Sequence, residues 1–127
     1  MVLKDIERIK AELPELLHVV MFYDDGIVFQ SSFEKEKSVN IPQVGTNLSE
    51  ILKHIQKLLE IGVLEMEPYT KLIYETRKIV VMVIKLGEKS NIALFFRKGG
   101  EEPDLSSIKR YLQNIQRLID SDQKISK

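Results

Sequence analysis

Apolar residues recur at Val2, Ile6, Ile9 and Leu13, at spacings of four, three and four, which lays one stripe along a helix. Pro14 ends that helix or bends it. Residues 17–23 (Leu-His-Val-Val-Met-Phe-Tyr) are apolar on both faces except at His18, and predict a strand. Asp24-Asp25-Gly26 follows. Asp-Gly between apolar runs signals a hairpin, because the turn requires positive φ. Residues 27–32 form the returning strand, less apolar toward its end. Residues 33–45 are the least regular stretch, with the charge run Glu34-Lys35-Glu36-Lys37 and then Ile41-Pro42-Gln43-Val44-Gly45. They are expected to form a surface loop, so long for a structureless connection that part of it is expected to be ordered or functional.

The pattern then returns to a helical period. Thr46 or Asn47 is placed to cap a helix, and Asn47 with Glu50 resembles a capping box. Leu48, Ile51, Leu52, Ile55, Leu58 and Leu59 make a wide apolar stripe, and Gly62 is the expected stop. Three strands follow. Residues 70–77 alternate, with Leu72, Tyr74 and Thr76 on one face and Lys71, Ile73, Glu75 and Arg77 on the other. Residues 79–86 are nearly all apolar, and Gly87-Glu88-Lys89-Ser90 turns the chain. Residues 91–97 carry Ile92, Leu94 and Phe96 on one face, Ala93 and Phe95 on the other. Gly99-Gly100 breaks the sheet. Asp104, just after Pro103, caps a last helix with the stripe Leu105, Ile108, Leu112, Ile115 and Leu118 or Ile119. Residues 121–127 are polar and are expected to fray.

The first, fourth and fifth strands are apolar on both faces, so both faces of the sheet centre need a cover. Joining the hairpin and the meander through these strands predicts an α+β, three-layer α/β/α sandwich. Its antiparallel sheet has five strands in the order 2-1-5-4-3, with the middle helix on one face and the two terminal helices on the other. The third strand then lies at an edge, with unpaired backbone groups that invite docking. The charges Lys71, Glu75 and Arg77 read equally well as protection of that edge. If the wide stripe of the middle helix overhangs the sheet, it leaves apolar surface in want of a partner.

Composition narrows the function. The chain has 127 residues, enough for one domain (1–127, with no repeat or linker) whose core needs no staple. It has no Cys, which excludes disulfides, thiolate metal sites and a Cys nucleophile. The 19 basic residues equal the 19 acidic ones, so the excess typical of nucleic-acid binders is missing. The longest apolar run, residues 79–84, is far short of the ~20 residues that span a membrane. The N-terminus mixes charges and lacks the apolar core of a signal peptide. The expectation is a cytoplasmic protein with no nucleic acid to bind and no membrane insertion.

The element order, the Asp25-Gly26 turn followed by Ile27-Val28, and the late meander ending in Asn91-Ile92-Ala93-Leu94-Phe95 resemble the Roadblock / dynein light-chain family, from about Ile6 to Ile119. The resemblance implies a non-enzymatic module that pairs through its middle helix and third strand, and that binds Ras-like small GTPases or serves as a scaffold or motor-complex subunit. It places the homodimer or partner interface at Leu52, Ile55 and Leu59 on the helix and Leu72, Ile73 and Tyr74 on the strand. The middle helix departs from the family by carrying Leu, Ile, Lys and His where small residues are frequent. Profilin-like, longin-like and PAS-like sheets share the three-layer plan, so a PAS/profilin-like small-ligand sensory domain is the alternative.

No grouping of residues announces catalysis, and no catalytic residue, metal or cofactor is assigned. Lys98-Gly99-Gly100 precedes a helix, but Glu101, Glu102 and Asp104 fill the end that would take an anion. His18 and His54 are the only histidines and have no ligand partner at helical spacing. His18 reads as a satisfied, partly buried side chain and His54 as a residue of an exposed helix flank. Asp24 and Asp25 read as turn formers, and Ser31 and Ser32 lack the glycines of a nucleophile elbow.

Overall fold

The computed structural model describes residues 2–98 together with Gln113 and Arg117. Helix α1 spans Val2–Glu12. The strands are β1 (Leu16–Tyr23), β2 (Val28–Ser31), β3 (Lys71–Glu75), β4 (Ile79–Lys85) and β5 (Ser90–Arg97). They form one antiparallel sheet in the order β2-β1-β5-β4-β3, as the apolar pattern requires. The expected break at Gly99-Gly100, the last helix from Asp104 and the fraying tail lie outside the described residues, except that Gln113 and Arg117 are helical and exposed.

Two cores follow from the two-residue period of the strands. On one face Val19, Met21, Val80, Met82, Ile92 and Leu94 pack with Ile9 of α1. On the other, Val20, Phe22, Val83 and Ala93 pack with Leu48 of helix α2 (Ile41–Ile61). The two described helices thus cover opposite faces of the sheet. Each fully buried Phe, Leu or Ile side chain contributes about 1.5–3 kcal/mol relative to exposure. The Asp-Gly hairpin forms as read: Gly26 takes φ +95° and the Asp25 carboxylate accepts from the Ile27 amide at 3.0 Å.

The loop expected over residues 33–45 is corrected by the structure. Ser31 caps a short 3-10 helix, Ser32–Lys35, accepting from the Phe33 amide at 2.9 Å. Helix α2 begins at Ile41, not after Thr46 or Asn47. Asn40 is its cap, accepting from the Gln43 amide at 3.1 Å, and Pro42 lies in its first turn where no amide proton is needed. Asn47 sits inside the helix and donates to the Gln43 carbonyl at 2.7 Å. Gly45 is no loop glycine either. It is buried against the hairpin tip, where an added Cβ would strike the Gly26 carbonyl oxygen and lie 2.6 Å from Val28 Cγ2. Two glycines meeting backbone to backbone let α2 descend onto the hairpin.

Candidate functional site

Strand β3 hydrogen-bonds to β4 alone, with Leu72 opposite Val83, Ile73 opposite Met82 and Tyr74 opposite Val81. Its outer side faces no other strand among the described residues. The register puts Leu72 and Tyr74 on the α2 face and Ile73 on the α1 face. Leu72 is half-buried against the α2-side core, whereas Tyr74 is 65% exposed and Ile73 is 37% exposed. Glu75 accepts from Lys98 at 2.8 Å, an exposed pair worth at most about 1 kcal/mol.

Helix α2 divides into a docked half and an overhanging half. Its buried residues, Gly45, Leu48 and Ser49, all lie near its start. Ser49 Oγ donates to the Asp24 carbonyl at 2.6 Å and ties that half to the hairpin. Farther along, Leu52 and Leu59 are half-buried while Ile51, Ile55, Leu58 and Ile61 are exposed. Between this half, the connection through Met66 and Tyr69, and Leu72 of β3 lies an open groove of about 520 Å³. Four of the six residues expected at the interface, Leu52, Ile55, Leu59 and Leu72, line it together. Tyr74 follows farther along β3, and Ile73 points away on the other face of the sheet.

The groove ends on a polar cluster that pattern analysis missed. Tyr69 donates to Asn91 Oδ1 at 2.5 Å, and Asn91 Nδ2 donates to Asp24 Oδ1 at 2.9 Å. Lys85 reaches both Asp24 carboxylate oxygens, at 2.9 and 3.1 Å. Burial disfavours the Asp24 anion, but the hydrogen bonds from Asn91 and Lys85, with the charges of Lys85 and Lys89, outweigh it and lower its pKa. Burial, reinforced by the Asp24 charge, pushes the Tyr69 hydroxyl pKa upward. An ionised carboxylate beside a neutral phenol, both satisfied, makes a clamp that pins the connection to the end of the sheet. Asp24 and Asp25 thus do different work and form no acid–base pair. No local signal marks the clamp, since its members are spread from position 24 to position 91.

The histidines lie apart. His54 is exposed on α2. His18 stacks on Phe33, ring centroids 3.8 Å apart, and its Nδ1 lies 3.1 Å from Ser32 Oγ, which also accepts from the Val19 amide. Burial, then the charge of Lys10, lower its pKa against the smaller opposing effect of Glu36. No group of three or more His, Asp or Glu among the described residues is placed to hold a metal ion. No described helix is long and apolar enough to cross a membrane.

No protein-family model matches the chain, and no curated protein matches it. Solved structures do. The gliding protein MglB of Thermus thermophilus is 13% identical with a TM-score of 0.75, over 94% of this chain and 89% of that one. MglB of Myxococcus xanthus is 10% identical with a TM-score of 0.74, over 94% and 95%. A Roadblock/LC7 domain from Streptomyces avermitilis is 12% identical with a TM-score of 0.73, over 95% and 96%. At such identities the likeness establishes the fold, which spans nearly the whole of each chain.

Proposed function

We propose that this Roadblock/LC7-type fold works as a non-catalytic, homodimeric protein-interaction module that scaffolds or regulates a small GTPase of the Ras-like class. The observation that carries the reading is the open edge of β3 lying beside the exposed apolar half of α2. Two copies meeting there would join their sheets through β3 and bury Ile55, Leu59 and Tyr74 against each other. The groove lined by Leu52, Ile55, Leu59 and Leu72 supports this, because it leaves apolar surface that no other described residue covers. The GTPase part rests on the family resemblance, and the cytoplasm is the compartment where such a partner resides.

Light scattering on a size-exclusion column tests the pairing. The expected result is a dimer at tens of micromolar that Ile55→Asp and Tyr74→Asp both split. A strict monomer at that concentration defeats it. Co-elution with Ras-like GTPases in defined nucleotide states then tests the second half.

A second reading, a small-ligand sensory domain of the PAS/profilin type, is favoured by one feature. The groove volume of about 520 Å³ falls within the range of small-molecule sites. A thermal-shift screen with compounds of that size tests it, and the absence of any stabilising compound removes it.

A further inference from the structure

Beyond the β3 edge, the turn that closes α2 is built against local preference. The Val63 amide donates to the Glu60 carbonyl at 3.1 Å and the Leu64 amide to the Leu59 carbonyl at 2.9 Å. This pair of bonds requires a left-handed residue between them, a position that glycine fills without a steric penalty. The chain has its glycine one residue too early. Gly62 stays at φ −77°, and Val63, a β-branched residue, takes φ +53°. The left-handed backbone closes the helix with these two bonds, but the Val63 side chain gains no packing, because it is 91% exposed. Leu58, Ile61, Leu64 and Met66 around it are exposed as well.

Charge gives this row a polarity. From position 58 to position 68 the chain reads Leu-Leu-Glu-Ile-Gly-Val-Leu-Glu-Met-Glu-Pro, with Glu60, Glu65 and Glu67 and no Lys or Arg. The last turn of α2 has no basic residue of its own to offset the negative end of the helix dipole. We propose that this strained, acid-edged apolar turn is a docking surface for a cationic amphipathic helix of a partner protein. The partner's apolar side chains would cover Val63 and Leu64, and its Lys or Arg would meet the three glutamates. A second copy of the same turn is a poor occupant, since it would set glutamate against glutamate. An anionic membrane surface is repelled for the same reason. The surface adjoins the β3 groove, which Met66 and Glu67 also line, but Val63 and Leu64 lie outside that groove's lining.

The test is fluorescence anisotropy with a labelled amphipathic helical peptide of leucine and lysine, and its twin of leucine and glutamate. The expected result is saturable binding of the lysine peptide alone. Val63→Gly is the decisive variant, because it relieves the strained φ while deleting the exposed side chain. It is expected to raise the thermal midpoint and to weaken peptide binding about tenfold. Glu65→Gln with Glu67→Gln is expected to weaken binding at low salt, with the difference closing at high salt. The proposal is overturned if both peptides bind alike or if Val63→Gly leaves the affinity unchanged. It is equally overturned if Val63→Gly alters the oligomeric state in light scattering, or if anionic vesicles, and not the lysine peptide, are bound.

Discussion

Strands β2 and β3 both rim the sheet, yet the chain treats them differently. Beside β2 the hairpin tip is closed onto α2 through Gly26 and Gly45, Ser49 Oγ bonds the Asp24 carbonyl, and the 3-10 turn that follows lays Phe33 on His18. Residues 28–30 are half-buried and Ser31 is buried. Beside β3 the same helix has lifted away. Only Leu72 of that strand is half-buried, and the space beneath the helix is a groove that ends on the Tyr69–Asn91–Asp24–Lys85 clamp. One helix therefore seals one rim and leaves the other open. The difference arises where backbone replaces side chain: Gly26 and Gly45 permit close approach at one end, and no such glycine pair joins α2 to β3 among the described residues.

The sharpest way to break this contrast is at the glycine contact. Gly45→Val pushes a branched side chain into the Gly26 carbonyl and Val28, and neither backbone can retreat far. A loss of about 3 kcal/mol in urea unfolding is expected. At the open rim, Tyr74→Asp is expected to weaken self-association by about 2 kcal/mol, roughly thirtyfold, with the monomer's own stability little changed. The matching change near the sealed rim, Ile27→Asp at a residue 61% exposed, is expected to leave the molar mass in light scattering untouched. Equal effects at both sites would erase the distinction.

Smaller changes sharpen it. Tyr69→Phe removes the donor to the buried Asn91 and should cost about 1.5 kcal/mol, visible as faster amide exchange in residues 62–70. Acid separates the two rims by pH. The folded pKa of His18 lies below its ordinary 6.5, so the unfolded chain takes up that proton first. Its contribution to stability is whole above pH 6.5 and is lost as pH falls from there toward the folded value. Asp24 is depressed below 3.8, so its contribution persists to that pH and is lost as pH falls through the lower folded value. Acidification should therefore loosen the His18 seam near β2 first and the clamp beside β3 only in strong acid. His18→Gln should flatten the mild-acid slope of stability, and Asp24→Asn should leave that slope in place.

Much of this architecture is legible in residue order. Continuous apolar runs at Val19 to Phe22, Val80 to Ile84 and Ile92 to Phe96 can only be central strands, and the Asp25-Gly26 turn and the short meander turns leave one simple sheet order. The start of α2 is legible too, but its signals compete. Asn40 followed by Pro42 and Gln43 marks a helix start, while the charge run before it and Gly45 after it suggest a loop. The surface residues are readable only in part. Leu52, Ile55, Leu59 and Leu72 converge on one groove, while Ile73, adjacent to Leu72 in sequence, faces the other side because strand neighbours alternate.

Residue order by itself determined which strands are central, which strand is left at the rim, and that two apolar faces need helices, because burial follows periodicity and periodicity is local. The tertiary structure alone decided how far α2 lifts from the sheet, which of its leucines stay wet, and which distant polar groups meet. Those depend on a glycine at position 45 finding one at position 26, and on Asp24 finding Tyr69, Lys85 and Asn91. Contacts between positions so far apart leave no mark on either stretch of chain, since each residue taken singly suits a turn or a strand end equally well.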